Sequence, residues 1–268
     1  MTPIGRLATS AAIVLPLLAQ TAVPSSARAQ ETPALFSSPP SGMPALHVGH
    51  PDVSASGIKA YEAEFVLTAI GPDGVETPFG RWTDHVAYVT GQDSTRLLRR
   101  EVARYTAEGE MDLWRVHTVS PDDMRPLITD QRFGPELRSM VRIEHDSTRV
   151  LHIQVGNLES PTRLFDETHA HAPFDLSLWA VLLLGFPREA GTQASFPVVG
   201  PTGQVGWETY SVEAGGDLAL PNGATVSTQK VSTRFRPWTV WLSDQAPYIV
   251  RIEQRAPDGT RIISTRAR

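Results

Sequence analysis

The sequence predicts a mainly β protein in which an antiparallel sheet surrounds one apolar helix. Runs of alternating apolar and polar residues, joined by short turns, recur from Ile58 to the end of the chain. A period of two is typical of half-buried strands, and the short turns favour antiparallel pairing. One stretch, Phe174 to Pro187, interrupts these runs and has no polar face, as its sequence FDLSLWAVLLLGFP shows.

The segment from Asp175 to Phe186 is predicted to be a helix that the rest of the protein covers. Asp175 is a suitable N-cap residue, and Pro187 prevents much continuation. Burying one large apolar side chain contributes roughly 1.5–3 kcal/mol. Exposing the eight in this segment would therefore cost more than the roughly 5–15 kcal/mol of net stability that a domain has. The segment is also shorter than the about 20 residues that a bilayer span needs.

The first 29 residues have the features of a secretory signal peptide. Arg6 precedes an apolar run over residues 11–22, and Ala27-Arg28-Ala29 has the small-x-small pattern of a cleavage site. We expect cleavage after residue 29 and export to the periplasm or the extracellular space as a soluble protein with no integral membrane span. The chain has no cysteine, which excludes disulfides, thiolate metal sites and a lipid-attachment cysteine.

Charge and composition predict the partners and the domain organisation. The formal net charge is −5, and removal of residues 1–29 takes away two arginines and no acid, which makes it −7. Such a charge argues against nucleic acid as a partner. Residues 30–57 are rich in Pro, Ser and Gly and predict a linker or loosely held arm. Residues 58–268 are predicted to form a single β-rich domain.

Turn signals separate the predicted strands. In Pro72-Asp73-Gly74 the proline presets φ and the glycine takes the left-handed position, and Pro126 should begin its strand or lie at an edge. A loop is predicted from Asn157 to Pro173. The strand-like runs after the first are Arg81–Val89, Ser94–Tyr105, Leu113–Val119, Pro126–Phe133, Met140–His145, Arg149–Val155, Ala194–Val199, Val205–Val212, Thr225–Phe235, Trp238–Leu242, Tyr248–Gln254 and Thr260–Thr265.

The sequence contains no signature of nucleophilic catalysis or phosphate binding, and no residue is predicted to be catalytic. A G-x-S-x-G elbow and a glycine-rich loop ending in Lys-Ser/Thr are both missing. The best metal-like cluster is His169 and His171, which follow Asp166 and Glu167. Histidine with carboxylate suits zinc or copper, but no third ligand is identifiable, and a polar loop before the helix is the favoured interpretation. No cofactor is predicted.

Two sets of charged residues are candidates for a functional role, and for each the favoured interpretation is an ordinary structural one. Asp84 and His85 are neighbours on a strand, so they face opposite sides and are expected to be solvated rim residues. Four arginines cluster on one strand. They could grip a carboxylate ligand, although cross-strand ion pairs with glutamates are the commoner outcome. These arginines are Arg96, Arg99, Arg100 and Arg104.

Large apolar residues are the candidates for lining an interior cavity. Trp238 and Trp241 are three apart, so on a regular strand they face opposite sides. Packing in the core is the commoner role of a tryptophan in a sheet, and lining a cavity is the alternative. The candidate cavity residues are Trp179, Leu182, Leu183, Trp114, Trp238 and Trp241.

Several of these patterns resemble a known family. The segments that carry the resemblance are Asp175–Trp179, Phe196–Val198, Gly223 before a long strand, Val240–Ser243 and Tyr248–Ile252. They look like the domain-of-unknown-function family 3108, which is related in architecture to the LolA-like periplasmic lipoprotein carriers. The resemblance covers residues 60–265 and is strongest from residue 174. It implies a half-open β-barrel, a strongly curved antiparallel sheet clasping helices over an apolar cavity, although this chain has one predicted helix where the carriers have several.

The function expected from these observations is non-enzymatic. An exported protein with an all-apolar helix inside a sheet is expected to carry or bind an apolar ligand, a lipid or a lipoprotein in the cell envelope. The alternative is a structural or partner-binding envelope protein with a filled core. A third hypothesis is a hydrolase or metalloenzyme that uses the loop of His169 and His171.

Overall fold

The structure, a computed structural model, describes residues 35–145, 150–168, 171–200, 205–234 and 238–267. The signal peptide predicted for residues 1–29 and the beginning of the predicted linker lie outside the described residues. Within the described part the chain is mainly β, as the sequence predicts.

Fifteen strands and three short helical segments make up the described chain. The first eight strands are β1 (Tyr61–Ile70), β2 (Glu76–Thr90), β3 (Arg96–Tyr105), β4 (Met111–Val119), β5 (Pro126–Phe133), β6 (Ser139–His145), β7 (Val150–Asn157) and β8 (Pro161–Thr168). The other seven are β9 (Phe174–Asp175), β10 (Gln193–Val199), β11 (Val205–Ala219), β12 (Thr225–Thr233), β13 (Trp238–Leu242), β14 (Ile249–Arg255) and β15 (Arg261–Arg266). The helical segments are two 3-10 helices, Pro135–Leu137 and Leu176–Leu178, and the α-helix α1 (Trp179–Leu182).

The strands form one sheet in the order β8-β7-β6-β5-β4-β3-β2-β1-β15-β14-β13-β12-β11-β10-β9. The β9–β10 pair is parallel, whereas the pairs that connect the rest of the sheet are antiparallel. The first strand pairs with the last, so β1 and β15 meet in the middle of the sheet. Strands β8 and β9 are its two edges, and the sheet is therefore open.

Local sequence signals explain several strand and turn positions. In β1 the buried residues alternate, with Tyr61, Ala63, Phe65 and Leu67 all inside. The turn after β1 places Gly74 at a φ of 82°, which is the left-handed position predicted for it. Strand β5 begins at Pro126. These features confirm the period-two pattern and the predicted turn chemistry.

The loop predicted from Asn157 to Pro173 is wrong for Pro161–Thr168, which form strand β8. Strand β8 pairs antiparallel along β7 there, beginning at Pro161 opposite Gly156. A proline is tolerated at this position because it is the first residue of an edge strand, where its missing N–H removes few ladder hydrogen bonds.

The predicted helix from Asp175 to Phe186 is buried as expected but is much shorter. Phe174 and Asp175 belong to a strand, a 3-10 helix follows, and α1 has four residues. Tight bonds from Leu184 N to Val181 O and from Gly185 N to Leu182 O then end the helix. Every residue from Phe174 to Phe186 is buried. Among the described residues, no helix has the length and apolar character needed to cross a membrane.

Residues 35–57, predicted as part of a loosely held arm, belong to the folded core. Leu46 is 2% exposed and Val53 is 1% exposed. The Leu46 amide donates to the carbonyl of Ser195, and the Ser54 amide donates to the carbonyl of Gly185. The arm is held because scattered apolar side chains and backbone groups find partners on the sheet and on α1, although they have no sequence period.

Strands β2–β8 on one side of the central β1–β15 pair, and β9–β14 on the other, form two wings of the sheet. These wings bend toward each other around α1. Leu113 of β4 and Trp238 of β13 lie six strands apart in the sheet order but line the same cavity. The hydroxyl of Thr129 in β5 donates to Oδ2 of Asp175 in β9, which is the opposite edge strand. One large hydrophobic cluster joins both wings, the arm and α1.

Candidate functional site

A partly open cavity of about 90 Å³ lies between α1 and the concave face of the sheet. Seven consecutive strands contribute to it, from β4 through β1 and β15 to β13, together with the segment Ser177–Ala180. The cavity exists because each of these strands directs alternate side chains inward. Its lining residues are Leu67, Trp82, Arg100, Val102, Arg104, Leu113, Arg115, Ser177, Trp179, Ala180, Trp238, Ile252, Gln254, Ile262 and Ser264.

Three tryptophans form much of the apolar part of the lining. The rings of Trp179 and Trp238 lie 4.0 Å apart between centroids and are tilted by 46°. Trp82 stacks on Phe65 with the same centroid distance and an angle of 8°. These rings are rigid and nearly buried, so they offer a preformed surface to an apolar ligand.

The structure divides the predicted cavity residues into three pairs. Trp179 and Trp238 line the cavity, whereas Leu182 and Leu183 are fully buried in the core around α1. The remaining two lie outside it. Trp114 is only partly buried and donates from its indole N–H to Glu101 at 2.9 Å, and partly buried Trp241 packs under the guanidinium of Arg251.

Trp82 is a cavity residue that sequence reasoning missed. Its signal was available, because it alternates along β2 with Asp84 and Val86, and all three are buried. Arg115 was missed in the same way, since it alternates with Leu113 and His117 on the buried face of β4.

Asp84 is buried, contrary to the prediction of a solvated rim residue. It is 1% exposed and accepts from Arg100 Nε at 2.7 Å and Nη2 at 3.0 Å. The Tyr61 hydroxyl donates to the same carboxylate at 3.0 Å. Burial and then the Asp84 charge raise the pKa of Tyr61 well above its usual value. The prediction failed because Asp84 lies on the face of β2 that points into the core. An acid is tolerated there because Arg100 on β3 neutralises its charge.

Three of the four clustered arginines form ion pairs, and their acidic partners lie on β2, β3 and β4. Arg104 forms a two-bond pair with Asp112 of β4, both bonds at 2.8 Å. Arg99 bonds Glu101 of its own strand at 3.1 Å, and Arg96 lies over the ring of Tyr88. The predicted cross-strand pairs therefore form, but with aspartates.

A buried polar chain lies behind the cavity at the beginning of the helical segment. Asp175 caps this segment as predicted, since its Oδ1 accepts from the Ser177 amide at 2.7 Å. Its Oδ2 accepts from the Thr129 hydroxyl, whose oxygen is 2.8 Å from Nδ1 of His117. Because the Thr129 hydroxyl donates its proton to Asp175, its oxygen acts as an acceptor toward His117. The proton of this second hydrogen bond is therefore on Nδ1 of His117.

In the neutral imidazole a proton on Nδ1 leaves Nε2 of His117 unprotonated. This nitrogen is buried and has no hydrogen-bond partner among the described residues. Burial, followed by the positive charges of Arg115 and Arg100, holds the pKa of His117 well below its usual range. Among the described residues the hydroxyl that His117 contacts is that of Thr129, through Nδ1.

The candidate metal cluster, for which a polar loop is the favoured interpretation, is only partly within the described chain. His169 lies outside it, while His171 is exposed and its ring stacks on His47 at 5.3 Å between centroids. His50 lies 5.4 Å from His47. No group of three or more described His, Asp or Glu residues is arranged so that it could hold a metal ion.

The chain matches no model of a known protein family and no curated protein. Its resemblance to the domain-of-unknown-function family 3108 therefore stays a prediction. Function must be inferred from the cavity itself.

Proposed function

We propose that this chain is a non-enzymatic binding protein whose bent sheet, a LolA-like half-open barrel, holds a small apolar ligand beside Trp179. The observation that carries the proposal is the cavity lined by Trp82, Trp179 and Trp238. A concave, mostly apolar surface with a few polar groups is the usual form of a small-ligand site. The predicted signal peptide supports placing this binding in the cell envelope.

The cavity volume favours a small ligand over a lipid or a lipoprotein. About 90 Å³ is less than the about 150 Å³ of an engineered cavity that holds benzene. A single aromatic ring can therefore enter only in part and must project through the open side. An acyl chain would require the walls to separate.

The same small volume supports a second candidate, a filled-core structural or partner-binding envelope protein. In that case the cavity is a packing defect, and filling it should do no more than change stability. The two candidates differ in whether a small apolar molecule binds at Ala180, which lies in the cavity wall.

Binding of toluene and benzamide distinguishes the candidates. We expect both to bind the purified protein with dissociation constants on the order of millimolar, as measured by ligand-observed NMR. Ala180→Leu should weaken binding at least about tenfold, because the added carbons occupy the cavity. Ala107→Leu, an equal change in an exposed turn, should leave binding unchanged.

The proposal is wrong if folded protein binds neither toluene nor benzamide nor benzoate. Thermal unfolding of both variants provides the folding control. Equal binding to the Ala180→Leu variant would also contradict it, since the ligand would then lie elsewhere.

A further inference from the structure

One wall of the cavity is cationic and the facing wall is aromatic. Arg100, Val102 and Arg104 alternate along the inner face of β3, and Arg115 of β4 is paired directly with Val102. Diagonal neighbours across an antiparallel pair lie about 7–8 Å apart. The three arginines therefore contribute to the same wall of the cavity, which Trp179 and Trp238 also line.

No acidic residue is among the described residues that line the cavity. The two aspartates that bond Arg100 and Arg104 lie behind these side chains. A ligand in the cavity thus meets guanidinium groups and apolar surface. Burial, and then the positive charges of Arg115 and Arg100, lower the pKa of His117, and the effect of these two charges fits a cationic wall at this end of the interior.

Two of the arginines are held in defined orientations at the cavity wall. Arg115 donates from Nε to Oε1 of Gln131 at 2.7 Å and from Nη1 to the carbonyl of Ser177 at 3.3 Å. Arg104 uses Nε and Nη2 for Asp112, which directs Nη1 away from that pair. Guanidinium groups fixed in this way lose little entropy when they bind an anion.

We infer that the cavity selects a small apolar carboxylate, with its hydrocarbon part against Trp179 and Trp238 and its carboxylate against Arg104 and Arg115. A planar carboxylate matches the fork of a guanidinium. A monoanion is favoured over a dianion because the cavity is small and mostly apolar, so that a second negative charge would lose its hydration there. This inference rests on the proposed function and specifies the class of its ligand.

Benzoate and benzamide test the inference without any mutation, because they have nearly the same shape and differ in charge. Hydrogen bonds between charged groups add about 1.5–3 kcal/mol, so benzoate should bind about tenfold or more tighter than benzamide. Raising the salt concentration should weaken the binding of benzoate and leave that of benzamide unchanged. Phenyl phosphate should bind more weakly than benzoate.

Variants locate the carboxylate. Arg104→Met and Arg115→Gln should each reduce benzoate affinity about tenfold and leave benzamide affinity unchanged, whereas Arg104→Lys should recover part of the loss. Arg99→Met is the matched control, since Arg99 lies on the same strand, is about half exposed and does not line the cavity. Far-UV circular dichroism and thermal unfolding check that each variant folds.

The possible outcomes separate the inference from the proposed function. Equal affinity for benzoate and benzamide overturns the inference but leaves a binding cavity in place, as does binding of toluene alone, whereas no binding of toluene, benzamide or benzoate overturns both. Tighter binding of phenyl phosphate overturns the choice of carboxylate. Charge selectivity that persists in Arg104→Met and Arg115→Gln overturns the assigned contacts.

Discussion

Single residues inside the sheet depend on their partners for stability. The carboxylate of Asp84 is buried with Arg100, and the Tyr61 hydroxyl completes its hydrogen bonds. A buried ion pair of this kind contributes little in itself, because both charges lose their hydration. Removing one partner is costly, because the other charge then stays buried and uncompensated.

Asp84→Asn should therefore destabilise the protein by about 3–5 kcal/mol, although the side chain keeps its shape. The double variant Asp84→Asn with Arg100→Met should recover most of this loss. Asp112→Asn is the control, since its pair with Arg104 is partly exposed and should cost less than about 1 kcal/mol. Urea unfolding gives all of these values. Equal losses at Asp84 and Asp112 would contradict this account.

The lowered pKa of buried His117 predicts a loss of stability in mild acid. Its pKa is lowered in the folded protein, whereas in the unfolded chain it should be near the ordinary value of about 6.5. As the pH falls below that value the unfolded chain gains a proton that the folded protein does not, so stability is lost by up to about 1.4 kcal/mol per pH unit. The loss ends at the lowered folded pKa.

His117→Asn should flatten the decrease in unfolding free energy that begins as the pH falls below about 6.5. His85→Asn is the matched control, because His85 is about half exposed on β2 and its replacement should leave the slope as in the parent protein. The measurement is urea unfolding at several pH values. A slope unaffected by His117→Asn would show that other groups cause the acid sensitivity.

At the scale of elements, local patterns predicted the strands well and the irregular segments poorly. The alternation in β1 and the turn at Gly74 are properties of a few adjacent residues, so a sequence records them directly. The length of α1 depends instead on Phe174 and Asp175 pairing with Val198 and Val199, which are distant in the chain. An apolar run cannot reveal such pairing.

The arm gives the element-scale prediction. Leu46→Ala should destabilise the protein by about 2–5 kcal/mol, since Leu46 is 2% exposed and its side chain is part of the main core cluster. Leu158→Ala is the control, because Leu158 is 49% exposed and the change should cost less than about 0.5 kcal/mol. Urea unfolding gives both values. A loss of stability at Leu46 as small as that at Leu158 would support the original prediction that the arm is loosely held.

At the scale of the whole molecule, the cavity depends on which strands face one another. The alternation along β2 and β4 contains enough information to direct Trp82 and Arg115 inward. It does not contain the bend that brings β4 opposite β13. That bend results from the order of fifteen strands and from contacts with α1, so residues on one face could be predicted but not the cavity that they share.

We predict that the whole sheet unfolds as one cooperative unit, because β1 pairs with β15. This pairing joins β2–β8 on one side to β9–β14 on the other, and the main core cluster includes residues of both sides. Urea unfolding followed by tryptophan fluorescence and by far-UV circular dichroism should therefore give one coincident transition. In native-state hydrogen exchange the amides of β1 and β15 should be the slowest, whereas those of the edge strand β8 should open at lower free energy. Two separated transitions, or faster exchange in β15 than in β8, would show that the wings unfold independently and that the cavity between them is not a fixed site.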